Sequence, residues 1–170
     1  MRYNKIRKMD IANGPGIRVS IFLQGCEFNC KDCFNPETHD FDGGKEFSKD
    51  TMKTLMNLCE DDNIVGLSII GGEPLHPKNI EGTTKIAKEF KEKYHNKNLW
   101  IWTGYNYEDL EHEEILNYVD VIVDGRFQAD KKNPKLNWKG SENQRVIDVP
   151  KTLQQKKIVF YTNTQDYEMG

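Results

Sequence analysis

Apolar positions along this chain switch repeatedly between an every-second and an every-third-or-fourth rhythm. Residues 17–23, Ile-Arg-Val-Ser-Ile-Phe-Leu, read as a β-strand that runs straight into a cysteine-bearing segment. Residues 48–61 place Met52, Leu55, Met56 and Cys59 at i, i+3, i+4 and i+7, a helical face, with Ser48 as N-cap. A strand follows at 65–70, then a helix at 79–94 with Ile80, Ala87, Phe90 and Tyr94 on one side. A further strand is expected at 99–102, a helix at 107–118, and strands at 119–123, 145–149 and 158–161. Strands alternating with helices predict a parallel sheet with right-handed crossovers.

The length changes that picture in one respect. A closed eight-fold β/α barrel takes at least about 200 residues, and this chain has 170. The predicted fold is therefore a single α/β domain, an open or partial parallel β/α barrel, over residues 1–161. The polar residues 162–170 read as a disordered tail.

Charge and composition narrow the function. A formal net charge of −3 is small and of the wrong sign for a dedicated nucleic-acid binder. No apolar run approaches membrane-spanning length, and the N-terminal residues lack a signal-peptide core. The expectation is a cytoplasmic protein with reduced thiols, bound to neither nucleic acid nor membrane.

In parallel α/β folds, ligands gather at the carboxyl ends of the strands. Four distinctive turns are expected at that edge: the cysteine segment, Gly71-Gly72-Glu73-Pro74, Thr103-Gly104 and Asp124-Gly125. The cysteine segment carries Cys26, Cys30 and Cys33 in the spacing C-x3-C-x2-C. Three clustered thiolates suit an iron–sulfur cluster with one open iron. They also suit a Cys3His zinc knuckle that borrows His39, although structural zinc sites usually add a second, distant ligand pair. A disulfide is disfavoured, because the fourth cysteine, Cys59, sits on a core-facing helix position and reads as an inert small hydrophobe.

The Gly71 to Pro74 turn could offer free carbonyls to an ammonium and free amides to a carboxylate, with Glu73 adding a charge. As a bare string it is an ordinary turn. Trp100, Trp102, Tyr105 and Tyr107 read as core packing. His76, His95 and His112 read as solvent-exposed, without a role.

The cysteine trio and the Gly-Gly-Glu-Pro turn together resemble the radical S-adenosylmethionine enzymes. That resemblance implies a 4Fe–4S cluster held by Cys26, Cys30 and Cys33, whose fourth iron takes the amino and carboxylate groups of S-adenosylmethionine. It implies that Gly71, Gly72 and Glu73 meet the methionine ammonium, and that the backbone around Asp32, Cys33 and Phe34 meets the adenine. Asp32 departs from the pattern, since many members carry an aromatic residue there.

Residues 13–18 (Asn-Gly-Pro-Gly-Ile-Arg), 22–26 (Phe-Leu-Gln-Gly-Cys) and 33–38 (Cys-Phe-Asn-Pro-Glu-Thr) are similar to glycyl-radical-enzyme activases. Residues 102–105, 123–125 and 140–145 resemble the subgroup acting on anaerobic ribonucleoside-triphosphate reductase. The likeness implies reductive cleavage of S-adenosylmethionine and formation of a glycyl radical on the partner reductase. It also implies a low-potential electron donor such as flavodoxin or ferredoxin. No catalytic side chain beyond the cluster and its cofactor is then required. Two other readings stay open: a radical enzyme with a different protein or small-molecule substrate, and a non-enzymatic zinc-stabilised binding module.

Overall fold

The computed structural model describes residues 1–162, so all but the first residue of the polar tail expected at 162–170 lies outside it. Seven strands form one open sheet in the order β3-β1-β2-β4-β5-β6-β7. They are β1 (Arg2–Asp10), β2 (Arg18–Leu23), β3 (Lys45–Glu46), β4 (Gly66–Gly71), β5 (Asn98–Trp102), β6 (Val121–Asp124) and β7 (Arg145–Asp148). Three helices accompany them: α1 (Lys49–Leu58), α2 (Ile80–Lys93) and α3 (Val149–Gln155).

The centre of the sheet is parallel, as expected: β2 pairs with β4, β4 with β5 and β5 with β6. Its flanks are not. β1 runs antiparallel to β2 and β3, and β7 antiparallel to β6, so the sheet is mixed and unclosed. β1 escapes the hydrophobic pattern because it is a flanking strand rich in Arg and Lys, which protect sheet margins from unwanted pairing.

Alternation along the central strands assigns the two faces. Val19, Ile21, Leu23, Leu67, Ile69, Leu99, Ile101 and Ile122 share one buried core with Leu55 and Met56 of α1 and with Ile86, Ala87 and Phe90 of α2. Cys59 is fully buried in that core, and desolvation pushes its thiol up to about 12. Trp100, Val121 and Val123 point the other way and pack with Trp102, Trp138, Val146 and Tyr161. Tyr107 also joins the main core, as its aromatic character suggested. Ser48 caps α1 as expected, accepting from the Thr51 backbone N–H.

Two expected elements are replaced. Residues 107–118 form two short 3-10 helices, Tyr107–Leu110 and Glu114–Asn117, in place of one α-helix. Glu108, Asp109, Glu111, Glu113 and Glu114 would stack like charges at i, i+3 and i, i+4. The strand expected at 158–161 is reduced to an isolated bridge between Ile147 and Phe160. The Val159 N–H goes instead to Thr152 Oγ1 of α3 at 3.0 Å. α3 starts at Val149, the last residue of the strand expected at 145–149. Asp148 caps it by accepting from the Lys151 N–H, and Pro150 sits in its first turn.

Candidate active site

The turns after β2, β4, β5 and β6 meet at one cavity of about 540 Å³. Its lining includes Cys26, Cys30 and Cys33, the turn Gly71 to Glu73, Thr103 with Gly104, and Gly125. Phe22, Ile70 and Trp102 supply its floor, so it lies on the sheet face away from α1 and α2. All four expected turns therefore share one site.

The cysteine segment is fixed by its own backbone. The Gly25 N–H donates to Thr38 O at 2.7 Å and the Cys26 N–H to His39 O at 3.1 Å, closing the loop onto a short 3-10 helix, Pro36–Thr38. Gly25 has φ +104° and packs on the ring of Phe41, where a Cβ would collide. Asn29 and Asp32 adopt left-handed backbone, at φ 54° and 58°. Short polar residues tolerate that region, which gives a local reason for Asp at 32. Asp32 is exposed and outside the cavity lining, whereas Cys33 and Phe34 line it. Burial pushes the Cys26 and Cys33 thiols up from their ordinary value.

The Gly71 to Glu73 turn lies against this loop. The Gly72 N–H donates to Leu23 O at 2.8 Å and the Glu73 N–H to Gly25 O at 2.7 Å. The expectation of free amides is thus corrected for these two groups: both are spent on stitching the two motifs together. A Cβ on Gly72 would lie 2.6 Å from Gly25 O and 2.7 Å from Thr38 O. Glycine is required there for close approach. Glu73 is buried, and its carboxylate accepts from Gly104 N at 2.6 Å, Leu75 N at 2.8 Å and Thr103 Oγ1 at 2.8 Å. Its charge is turned toward the neighbouring turn and orders it. Desolvation pushes its pKa up to about 7, against the pull of those three donors.

The far wall comes from the polar loop 125–144, which sequence reasoning left without a role. Arg126 stands 4.3 Å over the Phe28 ring and Lys132 5.4 Å over the Phe34 ring, while Phe127 packs on Phe34. Gln144 ties the loop together: its Oε1 accepts from Gly140 N and its Nε2 donates to Gly125 O. The signal was the pairing of Arg126 and Phe127 directly after the Asp124-Gly125 turn. Gly125 carries φ +91° and releases the chain across the cavity mouth.

The donor set is sulfur-rich. Glu73 is the single carboxylate in the lining, and it is already engaged, which leaves three thiols and the His39 imidazole. His39 Nε2 is buried without a hydrogen-bond partner among the described residues. Those residues contain no group of three or more His, Cys, Asp or Glu close enough to hold one metal ion. Three thiols in one lining whose carboxylate is already engaged form the sulfur-rich donor set on which iron–sulfur clusters are held. His76 is not solvent-exposed as expected: it is buried, with Nε2 3.0 Å from Glu27 Oε1 in the cysteine segment.

Comparison with known proteins agrees with this donor chemistry. Residues 12–147 match the family model described as a 4Fe-4S single cluster domain. The chain is 40% identical over 146 residues to the anaerobic ribonucleoside-triphosphate reductase-activating protein of Enterobacteria phage T4, covering 86% of this chain and 93% of that one. It is 36% identical over 150 residues to the protein of the same name from Escherichia coli K12, covering 86% and 97%. The Vibrio cholerae protein of that name is 34% identical over 150 residues, with the same coverage.

Proposed function

The chain belongs to the family of anaerobic ribonucleoside-triphosphate reductase-activating proteins, and from that premise we propose that it places a glycyl radical on such a reductase. The proposed chemistry is that of a radical S-adenosylmethionine oxidoreductase on a partial β/α barrel, with residues 1–161 as its core. When bound, a 4Fe–4S cluster and S-adenosylmethionine supply one-electron cleavage of the sulfonium and abstraction of a hydrogen atom from the partner's glycine.

The chain's own residues bind, orient and exclude. Cys26, Cys30 and Cys33 would hold the cluster, leaving one iron for the cofactor. The amides of Gly72 and Glu73 are committed to Leu23 and Gly25, and Glu73 O accepts from Asn79 Nδ2 and the His76 N–H, so the turn would meet an ammonium through the carbonyls of Gly71 and Gly72. Glu73 acts behind it, holding Thr103 and Gly104 in place. Backbone at Asp32 and Cys33, with the Phe34 ring, would form the adenine side. Phe28 and Phe127 give the cavity apolar wall beside the thiols. Contact between donor and acceptor on one rigid rim can lower a barrier by about 7–11 kcal/mol in the best cases.

The observation that carries this reading is the convergence of all three thiols and the Gly71 to Glu73 turn on one cavity. An unclosed sheet leaves a side through which a loop of another protein can enter. No helix among the described residues is long and apolar enough to cross a membrane. The working setting we propose is the cytoplasm, with a flavodoxin- or ferredoxin-type donor. The test is anaerobic reconstitution followed by reaction with S-adenosylmethionine and a strong reductant. About four irons per chain and formation of 5′-deoxyadenosine and methionine support the reading. One zinc per colourless chain contradicts it.

A further inference from the structure

We propose that the groove between α1 and α2 is the docking surface for an acidic, one-electron carrier protein, an inference that rests on the cluster reading above. The groove holds about 970 Å³ and lies on the helical side of the sheet, away from the cavity mouth. Its floor is Phe47, Met52 and Met56, and methionine is a side chain that adapts to varied partners. Its lining carries six lysines, Lys49, Lys53 and Lys78 among them, against three glutamates. That local excess of positive charge stands out on a chain whose net charge is −3. Among the described residues one ion pair neutralises a lysine of the groove, Lys85 with Glu81 at 3.5 Å.

One end of the groove reaches the cysteine segment through packed side chains. Lys78 Nζ stands 4.5 Å over the Phe41 ring, and that ring is 4.7 Å from the His76 imidazole. His76 Nε2 is 3.0 Å from Glu27 Oε1, and Glu27 follows Cys26 in the chain. Phe41 is also the ring on which Gly25 packs. A carrier seated over Lys78 is therefore separated from Cys26 by a short, continuous layer of protein.

The transfer itself needs no atoms: the carrier is oxidised by one electron and the cluster reduced by one. Charge complementarity of this kind raises encounter rates and screens out wrong partners without demanding a large or tight interface. The cavity opens on the other face of the sheet, so reductase and carrier can be bound together.

The test reverses three charges, Lys49→Glu, Lys53→Glu and Lys78→Glu, in the cluster-loaded protein. The probe is an acidic flavodoxin, whose binding is followed by flavin fluorescence across a salt series. Cluster reduction is then timed with flavodoxin hydroquinone and, separately, with dithionite. The expected result is binding at least about tenfold weaker, a flattened salt dependence and flavodoxin-driven reduction slowed at least about tenfold. Dithionite reduction and reductase binding stay unchanged. Wild-type binding and wild-type flavodoxin kinetics in the variant overturn the docking surface alone. So does loss of reductase binding with the carrier unaffected. Wild-type protein that takes up no cluster overturns the underlying functional reading instead.

Discussion

Arg18 Nε donates to Ser68 Oγ at 2.7 Å, and that hydroxyl in turn donates to Asn13 O at 2.6 Å. Arg18 is fully buried, with its remaining N–H groups on Asn98 Oδ1, Leu67 O and Pro15 O and its guanidinium beside the Trp100 ring. Desolvation pushes its pKa down to about 10, which still leaves it charged at neutral pH. Asn13 Nδ2 in turn donates to Asp10, which also accepts from Ser20 Oγ and the Ala12 N–H. Desolvation opposes ionisation of Asp10, and these three donors outweigh it, holding its pKa below the usual carboxylate value. The network ties the loop before β2 to the middle of the sheet, where Ala12 and Asn13 border the cavity.

Ser68→Ala removes an acceptor from a buried guanidinium and a donor from Asn13 O. The expected cost is about 1–3 kcal/mol in urea unfolding. Hydrogen-exchange protection should fall first at residues 11–16. A change below about 0.5 kcal/mol would show that the network contributes little.

Gly72→Ala should be more damaging to the site than to the fold. The added methyl meets two backbone carbonyls, Gly25 O and Thr38 O, neither of which is a flexible chain end. Overpacking of this kind costs about 1–3 kcal/mol. The two motifs must separate to accommodate it, so cofactor cleavage is expected to drop at least about tenfold while far-ultraviolet circular dichroism stays native.

Glu73 imposes a pH dependence with a definite sign. Its pKa is raised from the ordinary 4.5 to about 7, so the folded chain holds that proton more tightly than the unfolded chain. The associated stability is fully present below about pH 4.5 and is lost as pH rises through about 7. The difference is on the order of 3 kcal/mol. Glu73→Gln mimics the neutral acid, so it should match the wild type near pH 5, lose this slope and be the more stable of the two at pH 8. Urea midpoints for both proteins from pH 5 to 8 check it, and parallel curves would contradict it.

Much of the fold was legible where packing and propensity agree. Ser48 capping, the Met52 to Cys59 face and the alternation through β2, β4 and β5 were readable because each residue's local preference matches its final surroundings. Residues 107–118 were expected as one helix, but acids at helical spacing along the stretch oppose it, and two short 3-10 helices form instead. At 158–161 two backbone bonds to β7 persist, from Asp148 N to Val159 O and from Tyr161 N to Val146 O, but the Val159 N–H is diverted to the Thr152 hydroxyl and the ladder goes no further. The site was legible as motifs, since C-x3-C-x2-C and the Gly71-Gly72-Glu73-Pro74 turn are local strings. The commitments of the Gly72 and Glu73 amides, the burial of His76 and the closure of loop 125–144 depend on residues distant in sequence, and no local pattern records them.

Cys30→Ala isolates the cluster. Cys30 is half-buried, and truncation there removes a thiol from the cavity and none of the core. The α/β fold should persist with a stability change under about 1 kcal/mol. Iron and sulfide incorporation and cofactor cleavage should be lost together. Full cleavage activity in this variant would defeat the ligand assignment.

The most direct measurement is electron paramagnetic resonance on an anaerobic mixture of this protein, a partner anaerobic reductase, S-adenosylmethionine and a strong reductant. The account predicts a carbon-centred doublet on the reductase that disappears when Cys30→Ala replaces the wild-type protein. A reductase that stays silent beside a fully loaded, cofactor-cleaving activator would contradict it.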